Sequence, residues 1–149
     1  MEDYHGAFRA RKQDAEALLS LQGHDIAAFH LGGVAVECRL KALLLLYHSI
    51  QDWDKPSQRR KDAMFNQAVK NPGHSLMTAL KRMPKLRERA KSDYNFLNHL
   101  QNIIHPLGAT SADYIGIRYL PQATPTNDDW QESFAYVCGW LNKNAREAI

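Results

Sequence analysis

This sequence holds no credible run of alternating apolar and polar residues and no internal repeat, which excludes a sheet protein and a repeat array. It has two cysteines, Cys38 and Cys138, both in apolar helical surroundings. Reduced core thiols are expected there rather than a disulfide, and two cysteines alone make no metal site. No two of the seven histidines stand three or four residues apart, so a helical pair of metal ligands is missing too. Neither a metal nor another cofactor is expected. The opening MEDYHGAFRARKQD carries no apolar signal core and no stop-transfer pattern, which favours the cytoplasm. The one long apolar run is broken by Glu37, Arg39 and Lys41. A membrane span would bury three ionisable groups there, so no membrane partner is expected.

What the sequence does have is helix. A chain of 149 residues, 44% hydrophobic, reads as a single domain over residues 1–149 with a sizeable core. From His30 to Ile50 the text is apolar almost all the way round a helix; wrapped at 100° per residue it leaves one narrow polar line of His30, Glu37, Lys41 and His48. Such a helix belongs at the centre of a bundle or in a subunit interface. Gly32-Gly33 inside it costs about 1 kcal/mol per glycine against alanine, so a close approach that admits no side chain is expected there.

Around this centre the pattern predicts a first helix from about Tyr4 to Leu21, ended by Gly23, with Asp25 as a cap for the next. A short helix is predicted from Arg59 to Lys70, and a third major helix from His74 or Ser75, kinked or split by Pro84. A further segment follows Asp93. The last helix, carrying Trp130, Phe134, Val137, Cys138 and Leu141, is capped near Thr126 to Asp128. Leu107 to Pro125 reads as an irregular loop that packs back over a core edge. The expected fold is all-α, a bundle of four to five helices with that loop before the C-terminal helix.

Charge is uneven. The net charge is only +3, yet Ser75 to Lys91 carries six cations against the single acid Glu88. Lys81, Arg82, Lys85 and Arg89 are expected to gather on one face, with Arg87 and Lys91 at its flank. That face reads either as a solvated surface or as an electrostatic footprint for phosphates.

Three stretches resemble the HEPN superfamily. Gly23 to Leu45, GHDIAAFHLGGVAVECRLKALLL, is similar to its central helix, with a small-residue, glycine-containing stretch followed by AVE-x-x-LKALL. Gly73-His74-Ser75-Leu76 resembles the family's Gly-His-x-Leu start to the next long helix. Arg118-Tyr119-Leu120-Pro121 is similar to an arginine–tyrosine element found later in several members. The resemblance implies a helical bundle that commonly dimerises. Members act as metal-independent ribonucleases, as toxins paired with a nucleotidyltransferase-like antitoxin, or as non-catalytic modules associated with RNA or nucleotides. The ribonucleases share an Arg-x(4–6)-His signature, and no arginine of this chain has a histidine at that spacing; Arg118 is followed there by Ala123, Thr124 and Pro125.

The expected function is therefore a non-catalytic HEPN-like binding module for RNA or a nucleotide, a homodimer, within a toxin–antitoxin type of pair with a nucleotidyltransferase-like protein. Lys81, Arg82, Lys85 and Arg89 would hold phosphates, and Arg118 with Tyr119 would close one end of the site. The polar line of His30, Glu37, Lys41 and His48 reads either as a buried seam or as a pocket. One alternative is a metal-independent ribonuclease using His105 or His30 as the base and Arg118 for the charged transition state. Alternatively, Tyr119 packs over the bundle and Arg118 pairs with an acid such as Glu37. The other alternative is a purely structural helical partner protein.

Overall fold

The computed structural model describes residues 2–53, 69–121 and 128–148, without the side chains of 128, 147 and 148. The described residues form six α-helices and one 3-10 turn, and no strand. They are α1 (Tyr4–Leu19), α2 (Asp25–Tyr47), α3 (Leu76–Lys81), α4 (Pro84–Ser92), α5 (Tyr94–Ile104), the turn Gly116–Tyr119, and α6 (Asp128–Ala148). The helix predicted from Arg59 to Lys70 lies almost wholly outside the described residues, as do the caps proposed at Thr126 and Asn127.

Among the described residues there are six helices rather than the expected four to five, because Pro84 splits the third one. Pro84 has no N–H to donate, so it can only begin a helix, and it stands in the first turn of α4. α3 closes just before it, with Arg82 N–H bonded back to Thr78 O and Met83 N–H to Leu80 O. Met83, fully buried, fills the break.

α2 sits where its all-round apolar surface requires. It packs against α1, α3, α5, α6 and the 3-10 turn, and one connected core runs from Phe29 through Leu40 and Leu44 to Phe96, Leu100, Val137 and Leu141. Its first residue is Asp25 itself; His24 occupies the cap position and gives no side-chain cap, so the acid acts through the helix dipole. The expected stripe of α6 faces inward, with Trp130 stacked on Phe134 at 4.8 Å and Trp140 on Phe96 at 3.8 Å. The loop after α5 returns over the core edge as its composition suggested, burying Tyr114 and Ile117.

Asp93 links the C-terminal half. Its carboxylate caps α5 by accepting from Phe96 N (3.0 Å), and it also accepts from Trp140 Nε1 (2.9 Å) and Tyr136 OH (3.1 Å) on α6. The Phe96 N–H, and then the Tyr136 and Trp140 donors, hold this carboxyl below the usual carboxylate range. A depressed folded pKa stabilises above the unfolded value, and the gain is lost as pH falls through the folded one. Asp93→Ala is expected to cost about 1–2 kcal/mol at neutral pH, the usual value of a helix cap with its side-chain bonds. Urea melts at neutral and strongly acidic pH check this: the gap between variant and wild type should close in acid, and a pH-independent gap would contradict it.

Candidate functional site

The polar line of α2 is where the sequence concentrates titratable groups inside the core. Glu37 and Lys41 face each other one turn apart, Nζ to Oε2 3.0 Å, both side chains less than a tenth exposed. The second carboxylate oxygen of Glu37 accepts from His74 Nδ1 (2.8 Å) and from Tyr114 OH (2.6 Å). The carbonyl of His74 lies 2.8 Å from the same phenol. Burial first, and then the charge of Glu37, push the Tyr114 phenol far up, so it remains a donor. Lys41 is closed in from the other side by the Tyr4 ring, 5.6 Å from Nζ.

His30 and His48 do not join this group. His30 Nδ1 donates to the backbone oxygen of Tyr114 (2.8 Å), and His48 Nε2 donates to that of Arg82 (2.8 Å), holding the break between α3 and α4. The four residues are thus three separate ties from α2 to the segments that cover it, rather than the lining of one pocket. Each tie supplies a buried polar group with its partner.

The four predicted phosphate-binding cations fall on two helices and the break between them. Lys81 and Lys85 are exposed. Arg82 turns to the carbonyl of Lys70. Arg89 reaches Asn144 Oδ1 on α6 (3.4 Å). Glu88 is answered by Lys91 at 3.4 Å, so the acid of this stretch is already paired. Arg118 and Tyr119 stand on the 3-10 turn. Tyr119 is 77% exposed instead of packing over the bundle, and the Arg118 guanidinium lies over its ring (4.7 Å) and donates to its hydroxyl (2.7 Å). The expected pairing of Arg118 with Glu37 is not made, because Lys41, His74 and Tyr114 occupy that carboxylate.

A cleft between α5 and α6, about 440 Å³, gathers groups from both helices: His99, Asn102, His105, Asp129, Glu132 and Ser133. Ser133, fully buried, accepts from Asn102 Nδ2 (2.9 Å) and lies 2.9 Å from His99 Nδ1. His105 Nδ1 donates to Ser111 O (3.2 Å), which places its proton there and leaves Nε2 as the basic nitrogen. Neither Arg118 nor His30 lines this cleft. Among the described residues no three His, Cys, Asp or Glu side chains are grouped as a metal site would need, and no helix is long and apolar enough to cross a membrane.

No family model, curated protein or solved structure matches this chain. The likeness to HEPN domains rests on the three sequence landmarks alone. Two of them supply members of the core tie, Glu37 from the AVE stretch and His74 from the Gly-His start, while the arginine–tyrosine element, four residues after Tyr114 in sequence, supplies none. Sequence reading missed Tyr114 as a partner of Glu37. Its only signal was a tyrosine inside a loop expected to pack inward. It also missed the His99–Ser133 pair, which needs two helices brought together across 34 residues.

Proposed function

We propose that this protein is a HEPN-like binding module that engages RNA or a nucleotide without catalysing a reaction. In this reading it works as a homodimer and pairs with a nucleotidyltransferase-like protein. The observation that supports it most is the surface of α3 and α4, where Lys81 and Lys85 are exposed and the only acid, Glu88, is already taken by Lys91. Cations left in water in this way cost little to bring onto phosphates and release counterions when they do. The groups that could do chemistry on α2 are, by contrast, consumed in holding the fold.

The test is fluorescence anisotropy with labelled single-stranded RNA in excess chelator between about 50 and 200 mM salt. Binding should weaken steeply with salt, and Lys81→Ala with Lys85→Ala should flatten the slope of log K against log salt by about 0.7 per lysine. Salt-insensitive binding, or none, would remove the support for this reading.

A second reading, metal-independent RNA cleavage, has one observation of its own: His105, whose Nδ1 is bonded to Ser111 O, lines the α5–α6 cleft together with His99. Gel analysis of the same incubations separates the two. Intact RNA favours the binding module; cleavage that His105→Ala abolishes favours the enzyme.

A further inference from the structure

Arg39 is unlike the other charged groups of α2. It lies about 200° round the helix from Glu37, on the side facing α1 and α6. Its guanidinium is half-buried over the Phe8 ring (5.7 Å), with no carboxylate partner among the described residues. Burial pulls its pKa down. Facing an opening to water and bound to no carboxylate, this cation is available to a negative group of a partner.

The surroundings give that place a shape. α1 packs along α2, while α6 packs on α2, α4 and α5, which leaves a trough between α1 and α6. Two openings, about 720 and 460 Å³, adjoin along it and share His5, Arg39 and Asn142. On α6 it runs from Gln131 to Arg146, about 22 Å at 1.5 Å per residue. Its floor is apolar, with Phe8, Leu43, Phe134 and Cys138, and Leu46 in its wall is 62% exposed. Its cations are Arg9, Lys12, Arg39 and Arg146; its one acid, Glu16, is bonded to Lys12 at 2.6 Å.

We propose that this trough receives an acidic amphipathic helix of a partner protein, about 15 residues long by the same rise per residue. Its apolar side seats on Phe8, Phe134 and Cys138, and its carboxylates meet Arg9, Arg39 and Arg146. Other occupants fit less well. A phosphate backbone gains nothing from the apolar floor. A single-headed amphiphile would call for cations gathered at one end, whereas these are spread along the length. A second copy docking by the same face across a two-fold axis would set this cationic face against its own image. The proposal does not depend on RNA binding, because it uses none of the cations of α3 and α4.

The probe is a displayed library of 16-residue helices with a fixed leucine face and randomised flanks, selected on the immobilised full chain. Glutamate and aspartate should be enriched at the flanks. A winning peptide should lose at least about tenfold in affinity for Arg39→Glu, and a measurable part for the exposed Arg146→Glu, while Lys81→Glu leaves it unchanged. Thermal melts establish that the variants fold, and Arg146→Glu carries the test if Arg39→Glu does not. Enrichment of basic or uncharged flanks, no enrichment, or affinity indifferent to the groove variants would overturn the proposal. So would peptide-free chain that forms a dimer in solution and loses it with Arg146→Glu, which would assign the trough to a second copy.

Discussion

Alanine in place of Glu37 is expected to destabilise the protein by about 3–5 kcal/mol, the usual consequence of leaving one member of a buried ion pair behind. The loss has three parts. Lys41, itself less than a tenth exposed, loses its carboxylate partner and is left against the Tyr4 ring. Tyr114 loses its best acceptor, and the His74 ring loses the contact that fixes the start of α3. Urea denaturation measures the sum. A cost below about 1 kcal/mol would mean that water reaches the pair, as at exposed ion pairs. Removing both charges with Glu37→Leu and Lys41→Met should recover much of the loss, since apolar replacements of a buried pair are often near neutral. That double variant also asks a functional question. If it folds and binds RNA as the wild type does, the polar line of α2 is architecture; if it folds and binds weakly, the line belongs to the ligand site.

The distinction matters because sequence periodicity could find the line but not its purpose. Period 3.6 places His30, Glu37, Lys41 and His48 together on α2, and α2 indeed runs through all but the last as helix. Periodicity carries no information about what lies opposite. Tyr114 is 77 residues from Glu37, and Arg82 is 34 from His48, so these partners follow from the route of the chain and not from local pattern. Local signals located Asp93, which caps α5, and Pro84, which begins α4, but misplaced Asp25, which is the first residue of α2 and not its cap. Arg39 was legible in principle. A lone arginine on the apolar side of a central helix is a contradiction that only a partner or an opening to water resolves, and the trough supplies the opening.

Gly33 offers the sharpest test of how tightly the core tie is held. A Cβ there would overlap the Tyr114 side chain, its own Cβ at 2.7 Å and the ring closer still. Tyr114 has little freedom to move, because its hydroxyl is bound at Glu37 and its carbonyl at His30. Alanine would gain about 1 kcal/mol of helix propensity. Against this stand overpacking, about 1–3 kcal/mol, and the buried hydrogen bonds that a displaced Tyr114 would break, about 1–3 kcal/mol more. Gly33→Ala is therefore expected to cost about 1–5 kcal/mol net in a urea melt. Gly139 on α6 is the control: it is exposed and nothing lies within 4 Å of a Cβ built there, so Gly139→Ala should stabilise by about 0.5–1 kcal/mol. Tyr114→Ala removes the obstacle, and in that background Gly33→Ala should turn from destabilising to neutral or better. If the penalty persists without the Tyr114 ring, the glycine is required for some other reason, and the close approach of α2 to the loop is not what maintains it.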